Sequence, residues 1–548
     1  MKSKIKKAEK KKNLPKEKYL SEFFRIRDEK TLKYLPVAVI GIYFFVILIS
    51  ALVYHKIGDY GVETDFYEGM VYEAKEFLKG NLIIEGYKGP LYPIVLALLG
   101  FVFGDFFRVG VVLCAISASI FLYFSFKTLH KIFGFDVAFG SILLILSNSI
   151  FIQYSYSAGT DLFFAALAIV SIYFLVKGER LKNSYIVLSG IFASLAFLTR
   201  TNGLFLPAAA IVSFLIFKFS SKKYSVLIKH SLIYIFSFAL LNLPWSIYKY
   251  IKTGDPFYDR NFTNTAWELY GKGKMSWDYW QSVESLKFHS FKDVILRDPV
   301  HFVYEILIKN FYEHFVSDLD KLLSLPFAIF LVIGIIFLFK RKYLKNEVFF
   351  FTNIFFAFLV LLPAFYSERF SLFLLVGYSS IVMLFLTHNF LRNINFGSIG
   401  AGQIIFVIIF LWSVYDAYLY NSRQIDIGPK EILAVAEQVP DPIKTEENIV
   451  VARKPHIAYY LNMTYWKFPY VTTYDSLINW MKSKNAKYFF VSAFEVNTLL
   501  SYTNNRAEQQ KFYYLIDPNI PKTELEVVTY TIEPPSVLYR IRYDQMGK

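Results

Sequence analysis

The chain has 548 residues, of which 55% are hydrophobic, and its formal net charge is +15 at pH 7. Apolar residues in this proportion, gathered in long blocks, exclude a soluble enzyme built from several cores. The charge does not indicate nucleic-acid binding, because the lysines concentrate in the N-terminal tail and in short loops between apolar blocks. That distribution is typical of cytoplasmic loops and of contact with anionic membrane lipids.

Residues 1–34 are predicted to be a basic cytoplasmic tail, with nine lysines between Lys2 and Lys18. The apolar block that follows is too long for the core of a signal peptide, and no small-x-small cleavage motif follows it. We therefore expect an uncleaved membrane anchor. The one cysteine, Cys114, lies inside a later apolar block, so no disulfide can form within the chain.

Residues 35–420 contain eleven apolar stretches near the length of about 20 residues that a helix needs to cross the hydrocarbon. Because backbone groups cannot remain unpaired in lipid, each stretch is predicted to be a transmembrane helix. The predicted spans are 35–54, 109–127, 137–154, 161–177, 185–199, 203–219, 229–250, 323–340, 347–365, 370–388 and 402–420.

One further apolar stretch, Leu91–Phe103, is predicted to be interfacial or re-entrant. It has only thirteen residues between Pro90 and Gly104, which is short for a span. Leaving it out places the basic loops after the second, fourth, sixth and eighth spans on the same inner side as the basic tail. The same threading places the long loops 55–108 and 251–322 outside.

Residues 421–548 differ in kind from the rest of the chain. They are polar, with short β-rich runs at 448–452, 487–491 and 526–532 that alternate with helical patterns, and this indicates a small soluble α/β domain on the outside. The sequence therefore predicts an α-helical polytopic membrane protein of about eleven transmembrane helices, with interfacial helices in the first outer loop and a C-terminal α/β domain. We expect it in the cell (plasma) membrane.

Ionisable side chains at the outer ends of the predicted helices are the candidate functional groups. They are Glu63, Asp65, Lys88, Asp161, Arg200, Asp255, Glu368 and Arg369. Each has another interpretation, since cations at helix ends extend to headgroups, Asp161 can cap a helix and Asp65 can be a solvated loop residue. Their convergence on one side favours a site. A carboxylate can take a proton from an attacking group, and cations can hold a phosphate leaving group, so the set suits group transfer from an anionic lipid.

These residues fall in an ordered series of motifs from about residue 35 to 390. The series comprises Asp65, Ala74 and Gly80, the stretch 88–93 (Lys-Gly-Pro-Leu-Tyr-Pro), Phe103, Gly104 and Arg108, then Asp161, the turn 198–203 with Arg200, the Leu-Pro-Trp of 243–245, and Arg369. The order and spacing resemble the membrane glycosyltransferases of the GT-C class. The most similar pattern is the protein O-mannosyltransferase-like branch that includes the aminoarabinose–lipid A transferase.

The resemblance implies the fold of the membrane region, the reaction and the roles of individual residues. It implies inverting transfer of a sugar from a polyprenyl-phosphate donor, with Asp65 as the catalytic base. Lys88 and Arg369, with Arg200 beside them, would hold the donor phosphate. Asp161 would support the acceptor or orient the site, and Leu91–Phe103 would be a helix on the outer surface. The acceptor is expected to be a protein, a lipid or a glycan.

The sequence departs from the pattern at three positions. Phe66 follows Asp65 where many relatives have glutamate, Met70 stands where many have tyrosine, and Gly89 replaces the first proline after Lys88. A Trp-Trp-Asp signature is missing, which argues against transfer of a whole oligosaccharide.

Two alternatives from other classes stay open, a transporter or lipid flippase and a non-catalytic membrane scaffold. A transporter is expected to place its charges near the bilayer midplane rather than at the outer ends of the helices, and to show internal repeats. No His, Cys and carboxylate cluster has the spacing of a metal site. A divalent cation held by Asp65 and the phosphate stays open as well.

Overall fold

The computed structural model describes residues 20–177, 182–219, 224–339 and 345–543. Most of the predicted basic tail and parts of three predicted basic inner loops, at 178–181, 220–223 and 340–344, lie outside the described residues. Long apolar helices occupy most of the chain before residue 425.

The first ten helices lie before residue 254. They are α1 Glu29–Ile49, α2 Val71–Leu78, α3 Leu91–Phe103, α4 Phe106–Phe133, α5 Phe135–Leu146, α6 Ser149–Tyr156, α7 Asp161–Lys177, α8 Asn183–Thr199, α9 Phe205–Phe219 and α10 Tyr224–Thr253. The segment before α2, Phe66–Met70, is a single π-helical turn, and Thr201–Leu204 is a 3₁₀ turn that leads into α9.

Short helices fill the next loop, and longer ones resume after it. The short helices are α11 Phe262–Ala266, α12 Trp277–Tyr279, α13 Phe291–Arg297, α14 Pro299–Tyr304 and α15 Asn310–Ser317. They are followed by α16 Leu325–Leu338, α17 Lys345–Leu359, the 3₁₀ segment Glu368–Leu374, α18 Leu375–Leu386, α19 Asn389–Asn393 and α20 Ala401–Gln424. A two-residue hairpin of β1 Asn395–Phe396 and β2 Ile399–Gly400 separates the last two helices.

A helix covers most of each of the eleven predicted spans. Among the described residues, five helices are long and apolar enough to cross a membrane alone, and a sixth is added if α5 and α6, which meet at 67°, form one bent span. The helical, membrane-type architecture is therefore confirmed, whereas the count of eleven is not. The helices at the other predicted spans have at most 17 residues, fewer than the about 20 that a helix usually needs to cross the hydrocarbon.

Helix α3 has the bounds that its flanking residues dictate. Gly104 ends it in the left-handed conformation (φ 80°), and Asp105 begins α4 by accepting a hydrogen bond from the Arg108 amide. The two caps turn the chain between α3 and α4. At 13 residues, α3 is too short to cross the hydrocarbon, and its last turn leaves Phe101 and Phe103 exposed.

The C-terminal α/β region, residues 430–541, is a five-stranded sheet with helices on both faces. Its strands are β3 Ile449–Ala452, β4 Thr464–Lys467, β5 Tyr488–Ser492, β6 Leu525–Thr531 and β7 Ser536–Ile541, in the order β4-β3-β5-β7-β6. Its helices are α21 Lys430–Gln438, α22 His456–Tyr460, α23 Tyr474–Ser483, α24 Ala493–Ser501 and α25 Arg506–Tyr513. Strand β3 pairs in parallel with β4 and with β5, and β7 pairs antiparallel with β5 and with β6.

The central strand β5 is buried at every position, because helices cover both faces of the sheet. Phe489 belongs to the apolar cluster on one face and Phe490 to the cluster on the other, as the period of two requires. Ile57 of the first outer loop belongs to the second cluster, where it packs among residues of the C-terminal α/β region. This region and the first loop therefore share part of one core.

Candidate active site

Asp65 stands at the start of the π-helical turn that leads into α2. The residues after it, including Phe66, Met70 and Ala74, are buried and fix this segment against the helices beneath. Met70 packs as an apolar core residue, so the departure from tyrosine at this position leaves the segment anchored. The Asp65 side chain itself is 42% exposed.

Lys88 reaches the site on a backbone pairing between two loops. Lys88 and Arg200 form an antiparallel bridge, and the Gly89 amide donates a 3.3 Å hydrogen bond to the Thr199 carbonyl. A Cβ atom on Gly89 would lie 2.0 Å from the Leu198 carbonyl oxygen. The glycine that replaces the first proline of the family pattern is therefore what allows this close approach in this chain, and it supplies an N–H that proline lacks.

Two cations hold one oxygen of Asp65. The Lys88 ammonium and the Arg369 guanidinium each lie 3.3 Å from Asp65 Oδ2. Within the described part of the chain, no group donates a hydrogen bond to the other oxygen, Oδ1. The nearby positive charge of Lys88, reinforced by Arg369, outweighs partial burial and holds the pKa of Asp65 well below its usual value.

A second ion pair lies beside the first. Arg200 donates to Asp161 Oδ1 at 2.5 Å and to the Thr160 hydroxyl at 3.1 Å, and both members of the ion pair are largely buried. The Phe370 ring joins the two pairs, with the guanidinium groups of Arg200 and Arg369 5.1 Å and 5.0 Å from its centre. Three cations and two carboxylates thus form one cluster with one net positive charge.

Glu63 lies in a different environment from Asp65. Its side chain is fully buried and accepts hydrogen bonds from the His55 ring, the Asp59 amide and the Ala158 amide. His55 Nδ1 also donates to the Ile425 carbonyl at 2.9 Å. Although burial alone lowers the pKa of His55, the Glu63 carboxylate raises it above its usual value. This buried ion pair anchors the first loop to the ends of α1 and α20.

The two other sequence candidates lie at the edge of the cluster or away from it. Glu368 directly precedes Arg369 and is half-buried, and it lines a separate polar cavity. Asp255 is exposed and accepts a hydrogen bond from the Phe257 amide, which shapes its own turn. Neither of the two carboxylates forms an ion pair with Lys88 or Arg369.

Three residues that sequence reasoning missed hold the site from distant parts of the chain. Asn261 donates to the Tyr87 carbonyl and the Thr201 hydroxyl, and so ties together the two segments that carry Lys88 and Arg200. No local motif marks it, because its role depends on partners that are far away in the sequence.

Asp318 and Lys454 bond the segments that carry Arg369 and Asp65, respectively. Asp318 is fully buried and accepts hydrogen bonds from the hydroxyls of Tyr366 and Tyr378, which flank the Arg369 segment. Lys454, in the C-terminal α/β region, donates to the Tyr60 carbonyl at 2.8 Å and the Thr64 hydroxyl at 2.9 Å. Burial, aided by the charge of Arg453, lowers the pKa of Lys454 to about 8.

The described ranges contain no group of three or more His, Cys, Asp or Glu side chains that could hold a metal ion.

Comparisons with known proteins bear on the class of the molecule. Residues 87–248 match a family model described as dolichyl-phosphate-mannose-protein mannosyltransferase. The matched segment includes Lys88, Asp161 and Arg200, while Asp65 and Arg369 lie outside it. No curated protein sequence matches the chain.

Two solved structures share the fold over nearly the whole chain. ArnT from Cupriavidus metallidurans bound to undecaprenyl phosphate is 12% identical, with a TM-score of 0.58, and the match covers 95% of this chain and 100% of ArnT. The archaeal oligosaccharyltransferase AglB from Archaeoglobus fulgidus, in complex with an inhibitory peptide and a dolichol-phosphate, is 14% identical, with a TM-score of 0.56 and coverage of 94% and 75%. The predicted resemblance is confirmed by the family match over residues 87–248 and by the fold that the chain shares with ArnT and AglB.

Proposed function

We propose that this protein is a GT-C glycosyltransferase that moves a sugar from a polyprenyl-phosphate donor to a hydroxyl or amine of a protein, lipid or glycan acceptor, with inversion, on the outer face of the cell membrane. The observation that carries the proposal is the arrangement around Asp65. Lys88 and Arg369 bind one of its oxygens, while the other accepts no hydrogen bond from the described residues. One carboxylate is thus held in place and keeps a free oxygen for a proton.

The charge of the cluster suits the donor. Lys88, Arg200 and Arg369 exceed the two carboxylates by one positive charge, and the phosphodiester of a polyprenyl-phosphate sugar carries one negative charge. Lys88 and Arg369 each touch Asp65 at only 3.3 Å, so each can also bond a phosphate oxygen. The ArnT structure has undecaprenyl phosphate bound and the AglB structure is a complex with a dolichol-phosphate, which supports a lipid carrier of this kind here.

In the proposed step, the acceptor oxygen or nitrogen attacks the anomeric carbon of the sugar from the side opposite to the phosphate. A new bond forms to the anomeric carbon as the bond between this carbon and the phosphate oxygen breaks. Asp65 Oδ1 takes the proton of the acceptor, and Lys88 and Arg369 stabilise the negative charge that grows on the leaving polyprenyl phosphate. A single displacement of this kind inverts the anomeric centre.

Asp161 acts through Arg200 in this proposal. Its 2.5 Å ion pair fixes the guanidinium beside Phe370, where Arg200 adds a third positive charge next to the phosphate site. The outer-face orientation rests on the basic loops that the threading places inside and on the site at the opposite helix ends.

Transfer by the purified protein tests the proposal. Radiolabelled polyprenyl-phosphate sugars are supplied with a membrane extract as the acceptor source, and wild type is compared with Asp65→Asn. Asparagine keeps the size of the side chain but takes no proton, so we expect transfer to fall by about 10²–10⁴-fold. Equal transfer by both proteins would contradict a base role for Asp65. A wild type that transfers no sugar but moves the labelled lipid across vesicles would support the flippase alternative.

A further inference from the structure

A polar cavity of about 500 Å³ is lined by residues 59–62 of the loop that leads to Asp65 and by Glu368, the residue before Arg369. It is lined by the first outer loop, the ends of α6 and α20, the residue before Arg369 and one side chain of α24. The polar lining residues are Asp59, Tyr60, Gln153, Tyr154, Glu368, Tyr420 and Gln424. Its volume is in the range of pockets that bind small ligands.

The cavity adjoins the phosphate-binding cations. Glu368 lines it, and the next residue in the same 3₁₀ segment is Arg369, which contacts Asp65. The Tyr154 side chain also lines it, and the charges within reach of its hydroxyl include those of Arg369 and Asp161. The cavity wall and the Arg369 side chain are therefore carried by the same short segment.

Several polar groups in the cavity wall have no partner within the described ranges. The Glu368 carboxylate, the Tyr154 hydroxyl and the Gln424 amide take part in no hydrogen bond there, although Tyr154 is only 9% exposed. Gln153 accepts a 3.0 Å hydrogen bond from the Tyr420 hydroxyl through Oε1, so its amide NH₂ remains available. Each of these groups is available to a ligand, and a ligand with several hydroxyls would supply a hydrogen-bond partner for each.

The charge of the lining selects the chemical class of ligand. The wall has no lysine, arginine or histidine and has two carboxylates, those of Asp59 and Glu368. Asp59 uses Oδ1 for the Gly61 and Val62 amides, whereas neither oxygen of Glu368 takes part in a hydrogen bond with a described residue. Such a wall repels a phosphate or a uronic acid and accepts a neutral or amino-bearing sugar. Aromatic rings, including Phe494, offer surfaces for the apolar faces of a sugar ring.

We propose that this cavity binds the sugar ring of the donor, and that Glu368 selects neutral and amino sugars against acidic ones. The inference rests on the proposed function, since it takes the donor phosphate to be bound by Lys88 and Arg369. A sugar that is covalently bonded to this phosphate extends into the cavity past Glu368, while the acceptor approaches Oδ1 of Asp65.

Binding measurements on the purified full-length protein test this assignment. Three probes share one carrier: undecaprenyl phosphate, undecaprenyl-phosphate mannose and an undecaprenyl-phosphate hexuronic acid. For wild type we expect the mannose lipid to bind more tightly than the hexuronic acid lipid. Glu368→Gln removes the charge but keeps the size, so we expect it to reduce this preference by about tenfold or more. Glu437→Gln, which removes an exposed carboxylate of α21 away from the cavity, is the matched control.

A second variant separates sugar binding from phosphate binding. Gln424→Leu removes an amide that bonds no other described side chain, so folding is expected to be unaffected. We expect weaker binding of the mannose lipid and unchanged binding of undecaprenyl phosphate. Equal losses for both lipids, or a loss only in affinity for a glycan acceptor, would overturn the donor-sugar assignment. If wild type bound none of the three lipids, the proposed function itself would fail.

Discussion

Lys454 of the C-terminal α/β region donates a 2.9 Å hydrogen bond to the hydroxyl of Thr64, the residue before Asp65. The same ammonium donates to the Tyr60 carbonyl at 2.8 Å. The segment that carries the proposed base is therefore fastened from outside the membrane helices, by a side chain almost 400 positions away in the sequence (|i−j| = 390). This contact gives the C-terminal α/β region a direct connection to the site.

The Lys454→Met variant is expected to lower kcat by about tenfold or more with little change in the affinity for undecaprenyl phosphate. Methionine keeps the apolar stem but donates no hydrogen bond, and bonds from a charged donor contribute about 1.5–3 kcal/mol. Steady-state transfer kinetics and lipid binding measure the two effects. Lys487→Met, which removes an exposed lysine of the same region, is the control. Thr64→Val should add little to Lys454→Met, and additive losses in the double variant would contradict the shared role.

The acid side of the pH–activity profile is expected to depend on Lys88. Because the charge of Lys88 is the main cause of the low pKa of Asp65, wild-type kcat/KM should stay level as the pH falls to the lower limit of stability. In Lys88→Met the cation is gone and the pKa of Asp65 rises. Asp65 then becomes protonated, and inactive as a base, at a higher pH. The measurement is kcat/KM against pH for both proteins, and an acid limb at the same pH in both would contradict the prediction.

The helices and the identity of the charged residues could be predicted from the sequence, because membrane helices are marked by local apolar runs and charges near them are rare. Helix α3 occupies Leu91–Phe103, the interval between Pro90 and Gly104 that the sequence indicated. The number of membrane crossings could not be fixed, since helices such as α16 have only 14 residues and depend on their neighbours and flanking loops.

The pairing within the site could be predicted only in part. The sequence predicted that Asp65, Lys88 and Arg369 lie on the same side of the membrane. It did not indicate that both cations contact the same carboxylate oxygen. It grouped Glu63 with Asp65, although Glu63 is buried against His55. That difference depends on which way the chain turns after Ile57, and long-range packing against the C-terminal α/β region decides the turn.

Gly89→Ala is expected to destabilise the protein and to weaken the binding of undecaprenyl phosphate. The added Cβ would meet the Leu198 carbonyl at 2.0 Å, so the loops that carry Lys88 and Arg200 must move apart. A forced shift of this kind reduces the free energy of unfolding by about 1–3 kcal/mol. Thermal unfolding in detergent and lipid binding measure the effects. Gly41→Ala, at a helical glycine with no atom within 4 Å of the added carbon, should be neutral, and equal behaviour of the two variants would contradict the argument.

Asp318 makes the stability of the Arg369 segment dependent on pH. Burial raises the pKa of Asp318 to about 6, even though the hydroxyls of Ser371, Tyr378 and Tyr366 bond its charged form, and the charge of Glu368 adds to the rise. Between the ordinary pKa of 3.8 and about 6, the folded protein binds more protons at this group than the unfolded chain does. The contribution of Asp318 to stability is therefore full below pH 3.8 and is lost as the pH rises through 6.

The Asp318→Asn variant carries no charge at this position and should lack this pH dependence. As the pH rises from about 4 to 6.5, we expect the Tm of wild type to fall relative to that of Asp318→Asn, by the equivalent of about 1–3 kcal/mol. Thermal unfolding of both proteins across this range is the measurement, and Asp441→Asn, at a highly exposed carboxylate, is the control. A constant difference in Tm between wild type and Asp318→Asn would mean that Asp318 is ionised throughout. In that case the charged carboxylate of Asp318 would hold the segment before Arg369 in place through the hydrogen bonds that it accepts from the two tyrosine hydroxyls.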